Sequence, residues 1–207
     1  MTSEMFMNKI ALPPVAYLML QKFVHGEHDN LKNLLLAAYQ PFAGKPVLEL
    51  GCGTGMLSQF FEPGLYTGVD IDEARIKAGK VSYPNAKLVH ADIRMLAPDF
   101  FAPYEFMFCH AWLHHIDNEN CKAIFHAIQK ASGHSQKLLM VYEPVLPRFV
   151  KNPIGYLLGK FDRGDFVRPQ AQLEQLCQPF LRNSRHHPPK WRWPIPGAEL
   201  SLVFGAA

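Results

Sequence analysis

The most informative stretch of the sequence is Pro46-Val47-Leu48-Glu49-Leu50-Gly51-Cys52-Gly53-Thr54-Gly55. A short apolar run that ends in glycines is typical of a strand buried in a parallel sheet. Glycine lacks a Cβ atom and can adopt positive φ, so the backbone of such a loop can come close to a nucleotide. The stretch therefore predicts a strand, a loop that binds an adenosine-containing ligand, and a helix that begins at Met56.

The spacing of the glycines separates two kinds of nucleotide site. The dinucleotide fingerprint G-x-G-x-x-G would need its third glycine at position 56, which is Met56. The glycines instead fall at positions 51, 53 and 55. This spacing disfavours a loop that holds the pyrophosphate of a nicotinamide dinucleotide.

Strand and helix patterns alternate after this loop. Further strands are predicted at 65–69, 86–90, 105–109 and 137–142, and helices at 56–61, 73–82 and 118–132. Such alternation predicts an α/β, Rossmann-like fold: a mostly parallel sheet with helices on both faces.

The two ends of the chain have different patterns. Residues 5–40 have helical spacing, whereas residues 145–170 are rich in aromatic residues, proline and glycine. A helix at 170–181 and an alternating strand at 199–204 follow. We expect a single domain over 1–207, with an N-terminal helical cap (1–40), a cofactor-binding core (41–144), a lid or insertion (145–170), and a C-terminal helix with the last strands (171–207).

Two acidic residues follow strands at positions where parallel strands meet one crevice. Asp70 follows the second strand and Asp92 follows the third. In a doubly wound sheet, an acid after the second strand can accept hydrogen bonds from both ribose hydroxyls. Asp70 is the predicted ribose acid, and Asp72 is the neighbour that could take its place.

The composition excludes several classes of protein. With 207 residues, 48% hydrophobic and 19% charged, the chain is an ordinary globular protein. Its four cysteines are far apart without a CxxC pair, so we expect reduced thiols and no metal site. No apolar stretch near the N-terminus approaches the length that spans a bilayer, and residues 1–5 lack a basic leader pattern. These features predict a cytoplasmic protein without a membrane partner.

Charge is distributed unevenly. The net charge is +3, but residues 148–193 carry nine Lys and Arg against three acidic residues, a net charge of +6. The rest of the chain is therefore weakly acidic, at −3. The basic third either meets an anionic partner or is a solvated surface.

Four motifs in order resemble the class I S-adenosylmethionine-dependent methyltransferases over roughly residues 40–145. They are the glycine motif with Glu49, the acid Asp70, the pair Asp92-Ile93, and residues 104–116. The resemblance implies that S-adenosyl-L-methionine is the cofactor and S-adenosyl-L-homocysteine the product. It also implies seven strands with the last antiparallel, supplied here by 199–204.

The resemblance further implies a set of cofactor contacts. The glycine loop would take the methionine and ribose part, Asp70 the ribose, and Asp92 with Ile93 the adenine. The positions expected to bind the cofactor are Glu49, Gly51, Cys52, Gly53, Gly55, Asp70, Ile71, Asp92, Ile93, Cys109 and His110.

Residues 104–116 resemble the fourth-strand segment of the branch that methylates small molecules. The chain departs from that branch at His110, where a small residue is usual, and at Trp112, where an aliphatic residue is usual. Both positions would lie near the transferred methyl group, so Trp112 is a candidate acceptor contact. A metal bound by the histidines is disfavoured because no HExxH motif is present.

His114 or His115 is a candidate general base, because histidine titrates near working pH. The alternative is a histidine that packs or orients the helix, since methyl transfer can proceed by alignment alone. Arg163 and Arg168 in the lid could anchor an acidic acceptor. Alternatively they pair with Asp162, Asp165 or Glu143. Packing of the last strand is favoured over base stacking for Trp191 and Trp193.

The leading hypothesis is methyl transfer to an oxygen, nitrogen or carbon of a small, acidic acceptor by a monomer or homodimer. A nucleic-acid methyltransferase is the first alternative, disfavoured because 109–112 lack the [DN]PP[YF] motif of enzymes that methylate base amines. A nicotinamide oxidoreductase is disfavoured by Met56. A binding protein without catalysis is the remaining alternative.

Overall fold

The computed structural model describes residues 28–132, 137–160, 164–178, 184–187 and 198–206. Its centre is one sheet of seven strands. The strands are β1 (Val47–Leu50), β2 (Tyr66–Asp70), β3 (Lys87–His90), β4 (Phe106–His110), β5 (Lys137–Val145), β6 (Ser184–His187) and β7 (Ala198–Ala206). The Rossmann-like α/β fold expected from the sequence is confirmed.

The strand order is β3-β2-β1-β4-β5-β7-β6. Strands β1 to β5 pair in parallel, whereas β7 runs antiparallel to both β5 and β6. The order reverses between β1 and β4, which are hydrogen-bonded neighbours. In open α/β sheets, ligands bind beyond the carboxyl ends of the strands at such a reversal.

Helices cover both faces of this sheet. They are α1 (His28–Tyr39), α2 (Glu73–Ser82), α3 (Pro98–Phe101), α4 (Asn118–Ser132), α5 (Pro153–Lys160) and α6 (Gln170–Cys177). One hydrophobic core joins α4 and α6 to the face of β4 that carries Met107 and Cys109. The other joins α1 and α2 to the face that carries Phe106 and Phe108. The residues on both faces of β4 are apolar, because a central parallel strand is buried on both sides.

Two helices, α2 and α4, have the bounds that the sequence predicts. The predicted helix at 56–61 is instead a short 3-10 helix, Met56–Phe60. It follows Gly55 in the left-handed conformation and ends before Pro63-Gly64, so one tight turn is all that fits.

The second half of the chain departs further from the prediction. Strand β5 extends to Val145, and residues 145–170, expected to be a lid or insertion, contain helix α5, whose position was not predicted. The position of β6 was not predicted, although the resemblance implied seven strands and the last strands were expected within 171–207. None of the helices in the described ranges is long and apolar enough to cross a membrane.

One buried cation holds the sheet to the α3 connection. Lys137, at the start of β5, is 1% exposed. Its Nζ donates to the carbonyl oxygens of Phe101 (3.0 Å), Ala102 (2.7 Å) and Tyr104 (2.8 Å). Burial lowers the pKa of this ammonium group. Three carbonyl acceptors use all three of its donors, so its role is structural.

Candidate functional site

A cavity of about 400 Å³ opens at the carboxyl ends of β1 to β4. This volume lies within the range typical of small-ligand pockets. The wall is built from the residues that follow each strand: Gly51, Asp70, Ile71, Asp72, Arg75, Ala91, Asp92, Ile93, Arg94, Ala111, Trp112, His115 and Ile116. The strand ends are level because Leu50 is in register with Val69 on one side and Cys109 on the other.

The glycine loop needs glycine for its backbone shape. Gly51, Gly53 and Gly55 all have positive φ, between 56° and 73°. The amides of Gly51 and Cys52 both donate to the carbonyl of Val69, which folds the loop back onto β2. This alternation of left-handed positions is what places three glycines at every second residue.

Close contacts give a second reason for the glycines. A Cβ atom on Gly51 would overlap the indole of Trp112, so the ring lies directly against the loop. A Cβ atom on Gly79 in α2 would overlap the carbonyl of Thr54. Gly79 therefore lets α2 pack against the loop, a contact that sequence reasoning missed because it joins two separate elements.

Asp70 joins β2 to the glycine loop. Its Oδ2 accepts the amide of Gly53 at 2.7 Å, and its Oδ1 accepts the amide of Asp72 at 2.8 Å. The side chain lines the cavity although the residue is only 8% exposed. Asp72 also lines the cavity, but its carboxylate caps α2 by accepting the amide of Arg75.

Asp92 has a partner that the sequence analysis did not consider. Its carboxylate accepts hydrogen bonds from the amide, Nε and Nη2 of Arg94, the last at 2.6 Å. This pairing lowers the pKa of Asp92. Both residues line the cavity, so the predicted adenine acid is already neutralised by an arginine.

Glu49 lies beneath the glycine loop and is not part of the cavity wall. It is 3% exposed and accepts a hydrogen bond from the hydroxyl of Tyr66. Burial raises its pKa to about 8, although the hydrogen bond from Tyr66 opposes that rise. The side chain is thus a buried support of the loop, and the expected contact between Glu49 and the cofactor stays a prediction.

The other positions expected to bind the cofactor fall into two groups, those that line the cavity and those that do not. Gly51, Asp70, Ile71, Asp92 and Ile93 line the cavity. Gly53 and Gly55 shape the loop, and Cys52 and Cys109 are buried in the two cores. The ring of His110 lies against that of Tyr142 of β5 in a tilted arrangement, at a centroid distance of 5.6 Å. These five residues are not in the wall.

The segment after β4 forms the other side of the cavity. Ala111 has a φ of +48°, which is rare for a residue with a side chain. A 3-10 helix at Leu113–His115 follows. His115 is exposed and lines the cavity, whereas His114 is buried, with its Nδ1 2.9 Å from Glu143 Oε2. Of the two candidate bases, only His115 faces the cavity.

Arg168 is not an acceptor anchor, which corrects the expectation. It is 6% exposed, and its guanidinium donates to Asn118 Oδ1 and to the carbonyl oxygens of Leu113, Ile116 and Phe166. The partners are also not the acids proposed as alternatives. Arg163, Trp191 and Trp193 lie outside the described residues.

The cavity wall includes residues that carry little signal in the sequence. Arg75 lies in the first turn of α2, and Arg94 is two residues after Asp92. Glu143, which does not line the cavity, was considered only as a partner for the arginines. Among the described residues, no group of histidine, cysteine and acidic side chains could hold a metal ion.

Comparison with known proteins agrees with this geometry. Residues 47–132 match the model of a family described as a methyltransferase domain. No curated protein is significantly similar to this sequence. The family match confirms the resemblance to class I S-adenosylmethionine-dependent methyltransferases, and similar solved structures share the fold.

Three solved structures illustrate the similarity of fold. The methyltransferase domain of bacterial CtHen1 is 16% identical, with a TM-score of 0.64 over 84% of this chain and 96% of that one. An S-adenosylmethionine-dependent methyltransferase from Archaeoglobus fulgidus is 15% identical (TM-score 0.61; 91% and 99%). Magnesium protoporphyrin IX methyltransferase from Synechocystis, solved with bound S-adenosylhomocysteine, is 19% identical (TM-score 0.57; 93% and 88%).

Proposed function

We propose that this chain, whose residues 47–132 match the model of a methyltransferase domain family, transfers a methyl group from S-adenosyl-L-methionine to a small-molecule acceptor. The observation that carries the proposal is the position of Asp70. Its carboxylate holds the glycine loop through Gly53 and at the same time faces the cavity.

Asp70 is the proposed ribose acid. Each oxygen of its carboxylate accepts one backbone amide, and a carboxylate oxygen has two lone pairs. One acceptor site on each oxygen is therefore left for the two ribose hydroxyls. Asp72 is the weaker candidate because its carboxylate caps α2 and pairs with Arg75.

The adenine side of the site is mainly apolar in this proposal. Ile71 is 58% exposed beside Asp70, and Ile93 lines the cavity. Asp92 would have to share its carboxylate between Arg94 and an adenine amine. Burial of the ring against the two isoleucines therefore contributes more than that hydrogen bond.

The bound cofactor would supply an electrophilic methyl group on its sulfonium. The proposed place for that end of the cofactor is between Gly51 and the segment that carries Trp112 and His115. Trp112 packs against Gly51 and forms the wall there. His115 is the residue proposed to take a proton from the acceptor, because it faces the cavity while His114 faces Glu143.

A small-molecule acceptor is supported by the match of 104–116 to that branch of the family. Solved methyltransferases of this fold include enzymes named for a magnesium porphyrin and for small RNA. RNA is therefore the alternative acceptor for this chain. Of the two arginines predicted to anchor an acidic acceptor, Arg168 is used within the fold, and Arg163, outside the described residues, remains the proposed anchor.

Two experiments test the proposal. Calorimetry should show binding of S-adenosylhomocysteine but not of NAD; binding of NAD alone would overturn the proposed cofactor. The protein is then incubated with methyl-labelled cofactor and either a small-molecule extract or total RNA. Label in a small molecule is expected. Label in RNA would support the alternative, and binding without label in either fraction would indicate a binding protein.

A further inference from the structure

One buried carboxylate collects the backbone amides of the segment after β4. Glu143, on β5, is 2% exposed. Its Oε1 accepts the amides of Trp112 (2.7 Å) and Leu113 (2.8 Å). Its Oε2 accepts the amide of His114 at 3.4 Å and lies 2.9 Å from the Nδ1 atom of the same residue. Three successive amides thus point at a single side chain.

These amides follow a residue in an unfavourable conformation. A positive φ costs an alanine about 1–2 kcal/mol, and Ala111 has a φ of +48°. The amide of Ala111 donates to the carbonyl of Tyr142, the residue before Glu143. The strained turn is therefore fixed on both sides by contacts with β5, and it aims Trp112 and His115 at the cavity.

The lid side holds the same segment from the opposite direction. Arg168 donates to the carbonyl oxygens of Leu113 and Ile116, and the amide of Phe166 donates to the carbonyl of His114. Gly164 lies so close to His114 that a Cβ atom on it would overlap both the imidazole ring and the backbone. The buried Glu143 thus binds the amides of this segment from one side, and the buried Arg168 binds its carbonyl oxygens from the other.

We infer that Glu143 is a positioning residue, which together with Arg168 sets the segment Ala111–Ile116 that forms one wall of the cofactor cavity. Glu143 itself does not line the cavity and acts through Trp112 and His115. The inference rests on the proposed function only where cofactor binding is the readout. It extends the site to a residue of β5, beyond the 47–132 segment that matches the family.

The test replaces the carboxylate by an amide of the same shape. Glu143→Gln keeps one acceptor oxygen but turns an NH₂ group toward the donors of His114 or of Trp112 and Leu113. A Trp191→Phe, Trp193→Phe background leaves Trp112 as the sole tryptophan. The readouts are acrylamide quenching of Trp112 fluorescence, calorimetric affinity for S-adenosylhomocysteine, and the midpoint of urea unfolding.

We expect Glu143→Gln to increase the quenching of Trp112 and to weaken S-adenosylhomocysteine binding about ten- to a hundredfold, the effect of one lost hydrogen bond to a charged group. Lys137→Met is the matched control. It removes another buried charge that holds three backbone groups, but at α3, away from the cavity. It should lower the unfolding midpoint and leave the quenching and the affinity unchanged.

A second pair of variants acts from the lid, in case Glu143→Gln does not fold. Gly164→Ala pushes on His114, whereas an added methyl group at Gly159 in α5 meets the flexible end of the Leu146 side chain and lies at ordinary contact distance from Val167. The first should increase Trp112 quenching and the second should not.

Wild-type quenching in both Glu143→Gln and Gly164→Ala would overturn the inference. The same holds if Lys137→Met changes quenching and affinity as much as Glu143→Gln, since the effect would then be one of general stability. If the wild-type protein does not bind S-adenosylhomocysteine, the proposed cofactor fails, and the quenching comparison still decides the role of Glu143.

Discussion

Two loops form opposite sides of the cavity, and each is held by a carboxylate of the neighbouring strand. On one side, the loop Gly51–Gly55 follows β1, and the carboxylate of Asp70 on the neighbouring strand accepts one of its amides. On the other, the segment Ala111–Ile116 follows β4, and the carboxylate of Glu143 on the neighbouring strand accepts three amides. In both cases a neighbouring strand holds a loop that contains a left-handed residue.

The difference lies in what permits the left-handed conformation. The first loop uses glycine at each such position, so the requirement is encoded locally. The second uses Ala111, so the conformation depends on residues about thirty and fifty-five positions later, Glu143 and Arg168. We expect substitutions in the first loop to act by direct overlap and those around the second to act at a distance.

The largest effect is expected at Gly51. Gly51→Ala adds a methyl group where the indole of Trp112 lies, at a φ of +72°. Overlap in a packed region costs about 1–3 kcal/mol and left-handed strain about 1–2 kcal/mol, so S-adenosylhomocysteine affinity measured by calorimetry should fall about thirtyfold or more.

Gly44→Ala is the control for Gly51→Ala. Gly44 has a φ of +79°, but apart from its chain neighbours no atom lies within 4 Å of the place that an added methyl group would occupy. The variant shares the conformational strain without the overlap and should keep its affinity. Equal losses in the two variants would show that Trp112 does not lie against the loop.

The next effect concerns Glu49, which is buried beneath the glycine loop. The pKa of Glu49 in the folded protein is about 8, above its ordinary value of about 4.3. The folded state therefore binds this proton more tightly, so its stabilising effect is complete below pH 4 and is lost as the pH rises through 8. Denaturant titrations should show the free energy of unfolding falling over this range by up to about 1.4 kcal/mol per pH unit.

Glu49→Gln should remove this part of the pH dependence, because the amide stays neutral. Glu62→Gln, at an exposed position, should retain it. If the wild type and Glu49→Gln showed parallel pH profiles, the carboxyl of Glu49 would be ionised in the fold.

A smaller loss is expected at Arg168. Lysine keeps the charge but replaces a planar fork of five donors by three donors on one nitrogen. Arg168→Lys should lower the free energy of unfolding by about 1–3 kcal/mol, since buried carbonyls lose their donors. Urea denaturation checks this, with the exposed Arg148→Lys as control. A stable Arg168→Lys protein would contradict the structural role.

The next prediction concerns the proposed contact between Asp70 and the ribose of the cofactor. Asp70→Ala leaves ribose hydroxyls without acceptors and should cost about 1–3 kcal/mol of binding free energy. Asp72→Ala removes a helix cap and should cost about 1 kcal/mol of stability instead. Calorimetry and thermal unfolding of both variants separate the two roles. A larger affinity loss in Asp72→Ala would transfer the ribose contact to Asp72.

The smallest effect, and of opposite sign, is expected at Ala111. Ala111→Gly relieves left-handed strain, and the greater freedom of glycine in the unfolded chain offsets part of that gain, leaving about 0.5 kcal/mol of added stability. Ala97→Gly, at a φ of −68°, should lose stability. Loss of stability in both variants would mean that the turn at 111 carries no strain.

The sequence predicted part of the first side of the cavity, although it did not indicate Arg75, Arg94 or the packing of Gly79 against the loop. The glycine spacing and the acids at 70 and 92 identified residues that line the wall, and the helices 73–82 and 118–132 have the predicted bounds. Each of these features is local: a strand end, a turn or an apolar period.

The second side could not be predicted in the same way. The role of Glu143 depends on which backbone amides of the segment after β4 lie beside it. The role of Arg168 depends on where the chain after β5 packs. For Arg168, the sequence suggested an anionic acceptor or an ion pair, and the structure instead has the Asn118 side chain and backbone carbonyls as partners. Asp92 and Arg94 are two residues apart in the sequence, and the sequence pattern did not indicate that their side chains form an ion pair.

The most direct test of the two-sided cavity is a crystal structure of the protein with S-adenosylhomocysteine. The ribose hydroxyls should lie within hydrogen-bond distance of the Asp70 carboxylate, and the homocysteine end should lie between Gly51 and the segment that carries Trp112 and His115. A ligand bound elsewhere, or one that contacts the glycine loop but not the Ala111–Ile116 segment, would contradict the account.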